Sequence, residues 1–332
     1  MRRVAIVLGV LTLVFSLLLG ALALYDRAAP AAASWLGREG LEARFAIVGG
    51  HRLRYLRSGS GPAVVLVHGF GSSLDTWKDV IPALAVDHEV VALDLPGFGL
   101  SDDPADLTIG DLPRAVVGLM DRLRIPCAAL VGNSMGGAAV ALVAAERPER
   151  VSALVLIDAA GFDLGPSGQP RLVRIMMSPL GELMARLPGK RLLVELALRQ
   201  VFYDERLVTA ERVAEYLRDA KRPAGYLSVR SLGESLRGQE RIVEDALAKV
   251  RAPTLVVWGR HDAWIPLATA ARFTSAIAGS RQVLIADSGH LPQEERPQEL
   301  LGELTRFLAN VSPPGCPASR GPSALPGSAG TR

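Results

Sequence analysis

Ser134 stands in "LVGNSMGGAAVAL", between Gly132 and Gly136, with an apolar run before it and an apolar run of helical character after it. A serine so placed can be a nucleophile lifted on a sharp strand–turn–helix bend, provided the chain also supplies a base, an acid and oxyanion donors. Gly132 and Gly136 relieve crowding on such a bend, Asn133 completes it, and Gly137 lets the following helix pack close. The free N–H groups and the dipole at that helix start favour negative charge.

The base must come from five histidines: His51, His68, His88, His261 and His290. His51 falls in a hairpin turn and His88 just before a strand edge. His261 adjoins Asp262 and cannot easily reach over it. His290, in "DSGHLPQEE", lies in a loop after the last expected strand and is the expected base. For the orienting acid, "TLVVWGRHDAWIP" reads as a strand, a glycine and then Asp262. One helix and one strand separate Asp262 from His290, which sets their loops side by side at the carboxyl edge of a parallel sheet. Asp158, ending another strand, is the second candidate, and Asp287, in the loop of His290 itself, the third. The oxyanion donors are expected in "VVLVHGFGSS", which ends a strand in His68-Gly69-Phe70-Gly71. The backbone N–H of Phe70 and that of Met135 would face the developing charge. His68 itself is expected to be structural.

These residues need a sheet to hold them. "FAIVGGHRLRYL" reads as a hairpin closed by Gly49-Gly50. Strands are then expected at Ala63–His68, Val90–Asp94, Ala128–Asn133, Ala153–Asp158, Thr254–Gly259 and Gln282–Asp287, alternating with helical patterns. That alternation predicts an α/β fold: a mostly parallel sheet with helices on both faces. Between 162 and 250 the rhythm breaks into helical patterns alone. This region reads as an inserted helical cap, dividing the core into 45–161 and 251–311. Pro179 should break its first helix, and Thr209 is a plausible N-cap. A connector (26–44) precedes the core, and a Pro/Ser/Gly-rich tail (312–332), expected to be disordered, follows it.

The N-terminal segment 1–25 is a further unit. Arg2 and Arg3 precede an uncharged run from Val4 to Leu24, long enough at about 1.5 Å per residue to cross a hydrocarbon core of about 30 Å. It is expected to be a signal anchor, with the catalytic domain on the extracytoplasmic side. The alternative is a signal peptide cleaved near Ala21-Leu22-Ala23, giving a secreted or periplasmic protein.

Across 332 residues, apolar side chains make up 49% and charged ones 21%, enough for a large core. A net charge of +3, with no basic stripe interleaved with aromatics, excludes a nucleic-acid footprint. Cys127 and Cys316 are not expected to pair, and no metal-ligand spacing exists. Neither metal nor cofactor is expected.

The order Ser134, Asp262, His290, with "LVHGFG", "VVALDLPGFGLSD", "LVGNSMGG", "LVVWGRHD" and "DSGHLPQEERPQE" in succession, resembles the α/β-hydrolase superfamily from about Phe45 to Val311. Within that fold a serine nucleophile argues against haloalkane dehalogenases and epoxide hydrolases, which use aspartate. Meta-cleavage-product C–C hydrolases often carry "GNSMGG", but usually have a tryptophan where Leu291 stands. The likeness is greater to membrane-anchored monoacylglycerol-lipase-type serine esterases. That resemblance implies a lipid-like or small ester substrate and an acyl-enzyme, with C–C hydrolysis or a cofactor-free haloperoxidase-like activity as alternatives. A non-catalytic binding module is the reading from another class. In the cap, Met176, Met177, Leu180, Leu183 and Met184, with Leu291, are expected to shape the substrate pocket. Arg171, Arg174, Arg186 and Arg191 are expected to form a solvated face.

Overall fold

The structure is a computed structural model that describes residues 2–28, 35–165, 170–220, 223–236, 239 and 241–311, with the backbone alone for residues 2–10, 38, 185, 219–220 and 223–224. The tail expected at 312–332 and Cys316 lie outside the described residues.

Eight strands form one sheet: β1 (Ala43–Val48), β2 (His51–Ser58), β3 (Ala63–Val67), β4 (Glu89–Leu93), β5 (Ala128–Asn133), β6 (Val151–Ile157), β7 (Thr254–Gly259) and β8 (Arg281–Ile285). Their spatial order is β1-β2-β4-β3-β5-β6-β7-β8. From β4 to β8 every neighbour is parallel. β1 and β2 form the antiparallel hairpin, and β2 joins β4 antiparallel. Gly49 and Gly50 close the hairpin at φ 56° and 87°, the positive angles of a two-residue turn.

The central strands are Val- and Leu-rich because both of their faces are covered. Alternate side chains of β3 go to opposite sides. Val65 and Val67 pack in the cluster that includes the helices Asp111–Arg122 and Met135–Glu146, whereas Val64 and Leu66 pack in the one that includes Pro297–Ala309. Trp35 and Leu36, just before β1, are buried in this second cluster.

Register decides where chemistry can gather. Asn133 pairs with Ile157, and Ile157 with Val257, so β5, β6 and β7 end nearly level at the carboxyl edge. The residues that follow those ends include Ser134, Asp158 and Asp262.

Between β6 and β7 the described elements are helical: Arg171–Met176, Pro179–Arg186, Lys190–Val201, Ala210–Ala220, Pro223–Ser235, Ile242–Leu247 and one 3-10 turn. Pro179 opens a new helix rather than continuing the old one, because it has no N–H to donate. Thr209 Oγ1 accepts the N–H of Arg212 at 3.3 Å, an N-cap contact.

The N-terminal helix, Arg2–Arg27, rests its last turn on the cap. Tyr25 Oη donates to Glu195 Oε2 (2.6 Å), and the Asp26 carboxylate accepts from the N–H groups of Gly189 (2.8 Å) and Arg191 (2.9 Å). Among the described residues no helix is long and apolar enough to cross a membrane, so the expected transmembrane segment is not found among them. A second expectation is corrected outright: Cys127 is disulfide-bonded. Its place at the start of a buried strand, with the chain's other cysteine in a Pro/Ser/Gly-rich tail, had argued against pairing.

Candidate active site

Ser134 occupies the single residue between β5 and the helix Met135–Glu146, with φ 53° and ψ −118°. A non-glycine residue held there is strained and must be fixed by its surroundings. Ser134 N–H donates to Ile157 O (3.0 Å), and Ser134 O accepts from Ala160 N–H (2.9 Å) and Ala138 N–H (3.2 Å). The tight bend has no room for side chains beside it. A Cβ on Gly132 would lie 2.5 Å from the carbonyl carbon of Gly136, and one on Gly136 would lie 2.5 Å from His68 O.

The loop after β8 carries His290. Its backbone N–H donates to Val201 O (2.8 Å), the last residue of a cap helix, and its carbonyl accepts from Asn133 Nδ2 (3.1 Å). The same amide donates to Ile157 O (3.2 Å), so Asn133 ties together the ends of β5 and β6 and the histidine loop. Of the three acids considered, the structure pairs Asp262 with the histidine: His290 Nδ1 lies 2.8 Å from Asp262 Oδ2. A carboxylate only accepts, so Nδ1 carries the proton and Nε2 presents its lone pair. Nε2 is buried and meets no protein partner, and His290 and Ser134 line one cavity. Asp262 Oδ1 accepts from the N–H groups of Trp264 (2.7 Å) and Ile265 (3.0 Å), which fixes the carboxylate. Asp158 accepts instead from Gly259 N–H (2.9 Å), and Asp287 is exposed.

Phe70 and Gly69 line the cavity next to Ser134. Met135 begins the helix, where backbone N–H groups have no intrahelical acceptor, while its side chain packs in the core. Both ring nitrogens of His68 are already engaged. Its Nδ1 lies 2.7 Å from Gly69 O, and Leu95 N–H donates to its Nε2 (3.0 Å), so it is a neutral bridge between the loops after β3 and β4. Burial pulls its pKa down to about 4. Asp94 and Ser101 are likewise structural: Asp94 accepts from Leu74 N–H and Leu100 N–H, both at 2.7 Å, and Ser101 Oγ donates to Asp94 O (2.7 Å).

Among the described residues, the group with the donor types to hold a metal ion is Asp158, Asp262 and His290, whose ligand atoms lie within 4.8 Å of one another. In this group His290 Nδ1 and Asp262 are already engaged with each other.

The cavity wall is largely apolar. Of the expected pocket residues, Met176, Met184 and Leu291 line it, but Met177 and Leu180 do not. Met177 packs against the core, with its Cβ close to Gly233. Leu180 is 52% exposed and Leu183 55%, because the helix beginning at Pro179 turns that edge outward and faces the cavity with Gly181 and Met184. Sequence reasoning missed the helix Lys190–Val201, which contributes Val194, Ala197, Leu198 and Val201. Their i, i+3, i+4, i+7 spacing was the available signal.

Comparison with known proteins agrees with this architecture. The model of the alpha/beta hydrolase fold matches residues 62–297. The chain is 34% identical over 276 residues to a dihydrolipoyllysine-residue acetyltransferase component of an acetoin cleaving system from Cupriavidus necator, covering 80% of this chain and 68% of the relative. It is 30% identical over 261 residues to the 2-hydroxy-6-oxo-6-phenylhexa-2,4-dienoate hydrolase of Comamonas testosteroni, covering 74% and 87%. Among solved structures, a bacterial membrane phospholipase A superposes with a TM-score of 0.69 at 28% identity, over 94% of this chain and 99% of that one. With the sheet order, the bend at Ser134 and a family match over most of its length, this chain belongs to the α/β-hydrolase family.

Proposed function

We propose that the protein is a serine hydrolase that cleaves carboxylic esters with an apolar, lipid-like acyl part. The carrying observation is the largely apolar cavity that holds both Ser134 and the free Nε2 edge of His290. Ser134 Oγ attacks the ester carbonyl while His290 Nε2 takes its proton. The oxyanion meets the N–H groups of Phe70 and Met135. His290 then protonates the leaving alcohol, and water repeats the sequence on the acyl-enzyme. Asp262 fixes the tautomer and stabilises the imidazolium. Every step uses the chain and water alone.

A second reading, hydrolysis of C–C bonds in meta-cleavage products, has the support of the dienoate hydrolase relative. Such substrates carry a carboxylate. Among the described residues lining the cavity Lys190 is the one Lys or Arg, and the rest of the wall is largely apolar, as an apolar acyl chain requires. Turnover of p-nitrophenyl esters from acetate to palmitate, set beside turnover of a dienoate, tests the choice. Ester turnover rising with chain length supports the first reading, and dienoate turnover without ester turnover supports the second.

The N-terminal helix belongs to this reading as an attachment to a membrane surface rather than a span. Several of its apolar side chains, among them Leu13, Phe15, Leu17 and Leu18, are exposed. The likeness to a membrane phospholipase A over 94% of this chain supports the assignment. The full chain should co-sediment with vesicles, and recovery of the intact chain in the supernatant would contradict the attachment.

A further inference from the structure

Asp158 is a second buried acid at the site, and the reaction outlined above gives it no part. It follows β6 with φ 44°, a left-handed backbone that aspartate, asparagine and glycine tolerate better than other residues. Its N–H donates to Val257 O (3.0 Å), and its Oδ1 accepts from Gly259 N–H (2.9 Å). Gly259 O in turn accepts the N–H of Asp262 (3.2 Å). The side chain of Asp158 is thus built into the turn that presents Asp262.

Its other oxygen is the anomaly. Oδ2 is buried and meets no N–H or O–H donor. The titratable groups around it are Asp262 from the loop after β7, His290 from the loop after β8, and Glu295 from the turn that follows. Two of these three are acids, and His290 already gives its Nδ1 proton to Asp262. An ionised Asp158 would be an acceptor facing an acceptor, with a buried charge that nothing pairs. One proton between the two carboxyls resolves this.

We propose that Asp158 is a positioning residue, its Oδ2–H donating a hydrogen bond to the Asp262 carboxylate that orients His290. Burial first, and the charge of Asp262 second, push the Asp158 carboxyl well above its ordinary range, consistent with a neutral acid. The donated hydrogen bond takes up part of the Asp262 charge and fixes its plane. Asp262 then holds His290 in place without over-stabilising the imidazolium. The proposal rests on Ser134 and His290 acting as nucleophile and base.

The test compares Asp158→Asn with Asp158→Gly in the full chain. Asparagine keeps both the acceptor for Gly259 and a donor for Asp262. Glycine removes the side chain but accepts the positive φ. The readout is the rate at which a fluorophosphonate labels Ser134, followed across pH, together with the infrared carbonyl band of a protonated carboxyl. Asp158→Asn should label within about twofold of wild type with the same pH profile, whereas Asp158→Gly should slow by at least about tenfold, its acid limb moved to higher pH. The infrared band should be present at neutral pH in wild type and absent in Asp158→Asn. If Asp158→Asn slows as much as Asp158→Gly, or loses no infrared band, Asp158 is not a neutral donor and the proposal falls. Should Asp158→Gly fail to fold, the asparagine variant and the infrared band decide alone. A wild-type Ser134 that does not label at all overturns the hydrolase reading itself, a result distinct from any difference between the variants.

Discussion

The backbone N–H of His290 donates to the carbonyl of Val201, 2.8 Å away, so the cap's cavity-lining helix also holds the loop of the expected base. Glu295 reinforces that joint. Its Oε1 accepts from Gly289 N–H (2.7 Å), and its Oε2 accepts from Tyr203 N–H (2.8 Å) and Asp204 N–H (3.2 Å). One buried carboxylate thus straps the histidine loop to the end of the cap helix, and substrate pocket and base are positioned by the same element.

Loosening the strap should therefore cost rate more than affinity. Glu295→Ala is expected to lower kcat by roughly 10- to 100-fold, since a small misplacement of a base is that costly, with KM little changed. Steady-state kinetics on one ester checks this. A variant with unchanged kcat would show that the contacts to Val201 and Asn133 suffice to hold the loop.

Asp262→Asn preserves the shape of the site but removes the charge and the preference for the Nδ1–H tautomer. Ester turnover should fall by about 10⁴-fold. A loss of only a few-fold would mean that another acid, with Asp158 the nearest, orients His290.

The helix Lys190–Val201 should set the acyl-chain preference. Val194→Trp places a large ring in the cavity wall. It should reduce kcat/KM for a long-chain ester at least about tenfold relative to acetate, the scale of a lost apolar contact or two. Equal loss at every chain length would place the acyl chain elsewhere.

The placement of the site was more legible than its lining. Five strands of the parallel sheet (β3 to β7) read correctly as near-continuous apolar runs, because strands buried on both faces leave that pattern, while β8 is a largely exposed edge strand; the ends of all six fell within about two residues of the structure. The Gly-rich bend, the order of Ser134, Asp262 and His290, and the hairpin glycines at 49 and 50 were local signals in the sequence. Met177 and Leu180 were misread because a short helix with apolar residues on several edges does not reveal which edge faces the core. The cavity face of Lys190–Val201 carried a clear spacing that the reading did not use. Asn133, Val201 and Glu295 join distant loops through backbone groups, and such contacts leave no trace in composition or periodicity.

His68 makes the fold pH-dependent. It is buried and neutral, with a pKa of about 4 in the folded chain against about 6.5 unfolded. Between those values the unfolded state binds the proton and the folded state does not, so stability falls as the pH drops through that window. The loss is complete below about pH 4 and amounts to roughly 3 kcal/mol, at about 1.4 kcal/mol per unit. Denaturant unfolding at several pH values should show this slope, and His68→Gln should flatten it. An equal slope in the variant would assign the dependence to other groups.

The most direct test of the account is to trap the covalent intermediate. The full chain is mixed with a p-nitrophenyl ester, quenched in acid, digested and weighed peptide by peptide. The peptide containing Ser134 should gain the mass of the acyl group, and the Ser134→Ala protein should gain none. Ester turnover with no acylated Ser134 at any quench time, or with acylation at another residue, would contradict it.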